Sequence, residues 1–424
     1  RPKTHEPLKM GSNLIPTGRE RTLVFFTCPP ISSAKCSRVP LMYSYRLTAV
    51  ALGLYTVSSV AEAATIRVPA DQGTIQAAID SARNGDVVLV LPGVYTENVR
   101  LEGKTITLAS RFLNTRESKD IEKTVIDGAG KTAVEVKKVG PETRIVGLTI
   151  RNGDDGILCS SKIQILNNRI INNTDGIDYE GGGGICRSNL FQGNRDDGVD
   201  LDGSCEVTVQ DNRIRNNRDD GIEIRLHPYQ GPTLNIVIRN NRISGNGEDG
   251  IQFIDYSTRS HRVFRIERNV IEGSAMAAVG CMGNKNTKEN YEGADIPERI
   301  FIINNTFAAN KYGITGGNNM AVMNNIFVGT KKIAMKKVDG SSIAAFNLFW
   351  ENGADLKDCN WQKETTLFKD PGLGPERRLT KCSPCIDRGT AQFEWKGQQL
   401  LALPERSYAG KAPDLGAFEF RTTP

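Results

Sequence analysis

Five times between residues 150 and 255 the chain sets an aspartate before a glycine and an aliphatic residue. The copies are Asp155-Gly156-Ile157, Asp175-Gly176-Ile177, Asp197-Gly198-Val199, Asp220-Gly221-Ile222 and Asp249-Gly250-Ile251. More acids surround the middle copies: Asp196 and Asp219 before the phrase, and Asp178, Glu180, Asp200, Asp202 and Glu223 after it. Two chemistries are open to such a collection. A pair of carboxylates can pass a proton as acid and base. A tighter group can hold a hard cation, and oxygen-rich sites are what Ca²⁺ prefers. Either one requires that residues about twenty positions apart meet in space.

The spacing supplies the means. Successive glycines of the phrase lie 20, 22, 23 and 29 residues apart. A period in that range marks a solenoid, in which each repeat buries its apolar face only against its neighbours. Stacking turns a repeat position into a column. Along a strand, side chains alternate in direction. Ile157, Ile177, Val199, Ile222 and Ile251 must face the core, and so must Cys159, Tyr179, Leu201, Ile224 and Phe253. The residues between them face out. One outward column is Leu158, Asp178, Asp200, Glu223 and Gln252; the next is Ser160, Glu180, Asp202, Arg225 and Ile254. Outward neighbours are then about 4.8 Å apart between coils and about 6.7 Å apart along a strand. Carboxylates that close repel, so some must be protonated or a cation must sit among them. We expect at least one Ca²⁺ on this face. The aspartates just before glycine have a second reading, as turn residues that bond local backbone N–H groups. The outward acids could form an ordinary solvated face, but such a face would mix Lys and Thr with them.

Other segments frame this grid. Residues 74–82 place apolar side chains at helical spacing, with Thr74 as N-cap. A helix there can cover the open end of a solenoid. Asparagines recur at a corner of each coil: Asn168, Asn189, Asn212, Asn241, Asn269, Asn305, Asn325 and Asn347. Stacked amides can bond along such a column. Insertions at 227–233, 255–262 and 283–299 should leave the coil as loops and build a binding face. The expected fold is therefore all-β: a right-handed parallel β-helix with an N-terminal capping helix and an irregular C-terminal cap. Residues 64–110 form the N-terminal cap and first coil, 111–350 the β-helix, and 351–424 the C-terminal cap or appendage. Residues 1–41 read as an upstream extension.

Residues 42–63 join a cationic start to an apolar run and an Ala61-Glu62-Ala63 ending, the pattern of a secretory signal peptide. The run is short for a membrane span, so no stable membrane insertion is expected. Export to the periplasm, cell surface or medium permits disulfides. Beyond the signal stand Cys159, Cys186, Cys205, Cys281, Cys359, Cys382 and Cys385, of which the last two could form a local bridge. A net charge of +5, without clustered Lys/Arg and interleaved aromatics, argues against nucleic acid. A monomer is expected.

These residues resemble the pectin-lyase-like superfamily of right-handed parallel β-helices. Asn194-Arg195-Asp196-Asp197-Gly198-Val199-Asp200, with Asp175 one coil earlier, is similar to the calcium phrase of family 9 pectate lyases. Val199 replaces that family's aromatic residue, and its lysine base has no counterpart between Lys162 and Lys285. Asn173-Thr174-Asp175-Gly176 followed by Asp196-Asp197 also resembles family 28 polygalacturonases, but their Gly-His-Gly is absent. The first resemblance implies Ca²⁺ on Asp175, Asp196, Asp197 and Asp200, and β-elimination of an acidic polysaccharide. Arg225 would be the base, with His227 as the alternate. Asp178, Glu180, Asp202, Asp219, Asp220 and Glu223 would line the substrate. The second implies hydrolysis by a pair among Asp175, Asp196, Asp197 and Asp200. A third reading is non-catalytic: a carbohydrate-binding surface protein with structural Ca²⁺, or in a variant form a copper-delivery β-helix, for which His227 and His261 are the only histidines beyond the signal.

Overall fold

In the computed structural model the described residues are 63–256, 258–285 and 293–421, so the signal-like segment up to residue 62 and the extension before it lie outside them. Three long sheets run the length of the described chain. Sheet 1 has 12 strands, from Thr65–Val68 to Ile343–Ala345. Sheet 2 has 11, from Val99–Glu102 to Ala354–Lys357, and sheet 3 has 12, from Gly93–Thr96 to Leu367–Phe368. Neighbouring strands in all three are parallel. Each coil visits sheet 1, then sheet 3, then sheet 2. Lys162–Leu166, Arg169–Ile171 and Asp175–Glu180 make one such coil. Inward Val, Ile, Leu and Phe fill a continuous core from Val68 to Phe349. The stack is a right-handed parallel β-helix.

The entry is capped as the sequence implies. A helix spans Ile75–Ser81, and Thr74 Oγ1 accepts from Ala77 N at 3.1 Å. The Glu97 carboxylate also accepts from Ile75 N and Gln76 N, at 3.0 and 3.1 Å. Ile75, Ala78 and Ile79 turn into the core. Coil stacking continues past residue 350, because Ala354–Lys357 and Leu367–Phe368 still pair in sheets 2 and 3. The rest of the C-terminal segment packs along the side of the solenoid. Its hairpin, Gln392–Trp395 with Gln398–Ala402, brings Phe393, Leu400 and Leu401 onto Ile303, Ala321 and Ile343. This explains why the later strands of sheet 1 are apolar on both faces. Cys382 and Cys385 are separate free thiols, one exposed and one buried, and do not form the expected bridge.

The corner asparagines form an unbroken ladder. Each Nδ2 from Asn168 to Asn325 donates to the Oδ1 of the next, at 3.0–3.2 Å. Residues just before them hold positive φ, as at Asn167 and Asn240 (both 56°), where a short polar side chain is tolerated. A second ladder, unforeseen from the sequence, runs through Asn173, Asn194, Asn217 and Asn246 at the next corner.

The repeated glycines answer to this stacking. None of Gly156, Gly176, Gly198 and Gly221 has positive φ. A Cβ at any of them would meet a carbonyl oxygen of the next coil at 2.3–2.6 Å. At Gly198 the obstacles are Gly221 O, Ile214 Cγ2 and Asn217 Nδ2, at 2.6, 2.7 and 2.8 Å. Gly198→Ala should therefore cost about 1–3 kcal/mol, the usual price of overpacking a dense core. Denaturant unfolding checks this, and a stability equal to the parent's would refute the close-approach account.

Candidate functional site

Sheet 2 carries the acids, and its register sets them in the expected columns. Asp178 pairs with Asp200, Glu180 with Asp202, and Asp200 with Glu223. Both core-facing columns are buried, from Ile157 and Cys159 to Ile251 and Phe253.

The aspartates before glycine do something other than a local turn. Asp175 Oδ1 accepts from Asp197 N at 3.0 Å, Asp197 Oδ1 from Asp220 N at 2.7 Å, and Asp220 Oδ1 from Asp249 N at 2.6 Å. They form a third ladder, in which each carboxylate bonds the backbone one coil on. Asp220 is thereby buried in the wall and does not stand on the substrate-facing side as expected.

One oxygen from each of Asp197, Asp200 and Glu223 can lie within 4.8 Å of the others, and all three residues are buried. Asp178 Oδ1, Asp200 Oδ1 and Asp202 Oδ1 are enclosed without a hydrogen-bond partner. Of the four residues expected to hold a cation, Asp197 and Asp200 thus share a cluster, and Glu223 joins them. Asp175 sits one coil earlier, and half-buried Asp196 lies beside Asp219 instead. Glu180 is exposed at the strand end.

Electrostatics mark this as a place short of positive charge. Burial, then Glu223, pushes the Asp200 carboxyl up to about 9. Burial, then Asp155 and Glu180, pushes Asp178 to about 7. Glu223 rises to about 7 by burial, against the pull of Arg225. Asp196 reaches about 7 by burial and its closeness to Asp219, and burial with Glu223 raises Asp197 well above the carboxylate range. Among the described residues one cation pairs with them. Arg225 Nη1 donates to Asp200 Oδ2 at 2.9 Å and to Asp202 Oδ2 at 3.2 Å, while Nη2 pairs with Glu223 Oε1. Burial alone would lower the Arg225 pKa, but Asp200, Glu223 and Asp202 outweigh it and raise it. Arg225 is held protonated, which is the opposite of what a base needs. His227 stands beside it, with Nδ1 3.8 Å from Asp202 Oδ1 and its ring on Tyr256 at 4.4 Å between centroids.

The insertions after Arg225, Asp255 and Gly283 all occupy the passage from sheet 2 to sheet 1. Buried Arg262 ties the first of them down, donating from Nη1 to His227 O at 2.8 Å and from Nη2 to Gly203 O. Ser260 N and Oγ both donate to Glu298 Oε1, at 2.7 Å. Tyr256 and Glu298 lie in insertions without periodicity, Arg262 opens the strand that follows one, and no sequence signal singled them out.

All donors in the cluster are carboxylate oxygens, a set suited to a hard cation such as Ca²⁺ and poorly suited to copper, which favours imidazole and sulfur. The enclosed, unpartnered oxygens fit such an ion.

A family model described as "Periplasmic copper-binding protein (NosD)" matches residues 101–291. No curated protein matches in sequence. Among solved structures, the pectate lyase Pel9A is similar at 18% identity and TM-score 0.57, over 81% of this chain and 90% of that one. A polygalacturonase from Erwinia carotovora ssp. carotovora is similar at 15% identity and TM-score 0.42, over 72% and 96%. An α-1,3-glucanase from Streptomyces thermodiastaticus strain HF3-3 is similar at 15% identity and TM-score 0.45, over 73% and 68%.

The raised carboxyl values carry a sign. A group protonated more readily in the folded chain than in the unfolded one contributes stability at low pH, and that contribution fades as pH rises through its folded value. With unfolded values near 4 and folded values of about 7 for Asp178 and Glu223 and about 9 for Asp200, the window runs from about pH 4 to 9. In EDTA the melting temperature should fall from pH 5 to pH 9, and Ca²⁺ should restore it most at the alkaline end. A metal-free protein that grows more stable across that range would contradict the site's electrostatics.

Proposed function

From its place among the right-handed parallel β-helices of the pectin-lyase-like superfamily, we propose that this chain acts outside the cytoplasm on an acidic polysaccharide, by Ca²⁺-dependent β-elimination. The observation that carries this reading is the buried Asp197–Asp200–Glu223 cluster, with surplus carboxylate on every side and a single arginine to balance it. An acidic face can attract an acidic polymer only when a cation stands between them.

In this reading Asp197, Asp200 and Glu223 hold the ion, and Asp175 and Asp196 complete its surroundings. Bound there, calcium supplies Lewis acidity toward a uronate carboxylate, which makes the proton on the adjacent carbon easier to remove. Arg225, kept charged by its three acids, steadies Asp200 and Asp202 and offers its remaining N–H groups to substrate. His227 is the proton acceptor, because imidazole can take a proton near neutral pH, and Asp202 and Tyr256 orient its ring. Asp178 and Glu180 stand on the coil before Asp200 and Asp202, and they line the substrate face together with Asp202 and Asp219.

Two observations favour other readings. The Asp196 carboxyl, pushed up to about 7 by burial, is suited to the general-acid role that a glycoside hydrolase requires. The matched family is named for copper. Against the latter, the two described histidines serve elsewhere: His227 faces Asp202, and His261 Nδ1 lies 2.9 Å from Gly231 O.

Polygalacturonate and alginate, incubated with the protein in Ca²⁺ or in EDTA, separate these readings. Elimination requires ultraviolet absorbance from unsaturated uronates that vanishes with EDTA. Reducing ends without that absorbance mean hydrolysis and overturn the proposal. His227→Ala should lower kcat by about 10²–10⁴, the range for a general base, while leaving Ca²⁺ binding intact by calorimetry. Asp200→Asn should weaken Ca²⁺ binding at least about tenfold, since even outer-sphere changes at metal sites cost that much. Tighter binding of Cu⁺ or Cu²⁺ than of Ca²⁺ would instead support the copper reading.

A further inference from the structure

A second concentration of unbalanced charge lies where the insertions and the C-terminal hairpin meet sheet 1, and its sign is positive. Arg259 and Arg299 both line two adjoining cavities, of about 560 and 370 Å³. These are within the usual range for small-molecule sites, about 300–1,000 Å³. His261 borders the larger cavity, and Trp395, Lys396 and Asn319 border the smaller. Some arginines elsewhere find acids, as in Arg100–Glu135, Arg151–Asp127 and Arg377–Glu272, and others find amide or carbonyl oxygens, as Arg215 does on Gln192, Arg239 on Gln210 and Arg262 on His227 O. Arg259 and Arg299 have no ion pair among the described residues. Arg299 Nη1 is buried with no hydrogen-bond partner, and Nη2 reaches only Gln398 Oε1, at 3.3 Å. Burial, then repulsion from Arg259, lowers the Arg299 pKa.

A buried guanidinium donor without a partner is costly. Two arginines sharing a cavity wall, with no acid lining it among the described residues, lack one component, an anion. Its surroundings indicate the kind. Guanidinium forks match planar carboxylates, the half-buried Trp395 offers a ring face, and the Asn319 and Gln398 amides offer donors and acceptors suited to hydroxyls. We propose that Arg259 and Arg299 form an accessory binding site for uronate-bearing oligosaccharide, in which a sugar carboxylate sits between the two guanidiniums and Trp395 supports a neighbouring ring. The site stands apart from the acidic cluster. It shares a substrate class with the elimination reading but needs no metal.

The test uses the full chain in EDTA, where cation-dependent binding on the acidic face is silent. Tetragalacturonate is titrated by calorimetry, with Trp fluorescence as a second signal. The parent should bind, with affinity falling as salt is added. Arg259→Glu, a change at an exposed position, should weaken binding by about tenfold or more, the value of one lost charge-assisted hydrogen bond. Arg299→Ala should do the same. The fully methyl-esterified tetramer should bind no better to the parent than tetragalacturonate does to the variants. Parent-like binding by folded Arg259→Glu, or no binding by the parent, overturns the proposal. Binding of a heparin tetrasaccharide in place of tetragalacturonate overturns the uronate assignment in favour of a sulfated sugar. Asp200→Asn should leave this binding unchanged, so failure of the elimination reading and failure of this site are read separately.

Discussion

Everything in this molecule follows from parallel strands stacked in register, coil upon coil. The backbone bonds between coils fix each residue above its counterpart some twenty positions away, as in Asp155, Asp175 and onward. Like must then lie upon like. For isoleucine that is favourable, and the core is a set of apolar columns. For asparagine it is also favourable, because an amide is both donor and acceptor and can continue a ladder without end. For glycine it is a requirement, since the next coil's carbonyl occupies the place of a side chain at Gly176 and Gly198. For carboxylates the same rule is a penalty, and the acidic face is where the fold bears it.

That penalty is divided unequally. The aspartates before glycine gain a backbone N–H from the following coil, so part of their cost is offset by a structural bond. The outward acids two and four positions after glycine have no such bond, and several of their oxygens are enclosed and bare. Arg225 offsets the charge of three of them at once. A buried group of this kind adds little net stability compared with apolar packing. Its persistence across coils holding Asp178, Asp200 and Glu223 is therefore better explained by what it can bind than by what it holds together.

Much of this was legible in the sequence, and the rest was not, for identifiable reasons. Periodicity and strand alternation place Asp178, Asp200 and Glu223 in one column without any structure, because register in a solenoid leaves no freedom. The capping helix was legible from Thr74 and the apolar spacing after it. The role of Arg225 was not: its position suggested a base, but protonation depends on the distances to three acids, which the sequence does not state. The bond from Asp197 to the next coil was not legible either, because a side chain that bonds the next coil and one that bonds its own turn share one sequence pattern. Glu223 looked like a substrate contact, and only the approach of its oxygen to Asp197 and Asp200 joins it to the cluster. Glu298 lies in an aperiodic insertion, where no column predicts a neighbour, and Arg262 is in register with Leu234, which gives no sign of the bonds Arg262 makes to His227 O and Gly203 O.

The same stacking rule decides on which side such insertions can occur. At the corner between sheets 1 and 3, each asparagine from Asn168 onward bonds the next, so an insertion there would break the ladder. The excursion that does enter this corner, with short helices at Phe112–Thr115 and Ser118–Lys123, comes before the ladder begins. The next corner carries the second asparagine ladder and the bonded aspartates, and it is closed in the same way. Among the described residues the passage from sheet 2 back to sheet 1 shows no side-chain ladder, and there the coils are joined by as little as Gly181 and Gly182 or by the long segments after Arg225 and Asp255. Loops can lengthen there without unstacking anything. That passage is flanked by the acidic columns on one side and by the Arg259–Arg299 cavities on the other. Freedom from the ladder is thus the physical reason why both unbalanced charge clusters border the same edge of the solenoid.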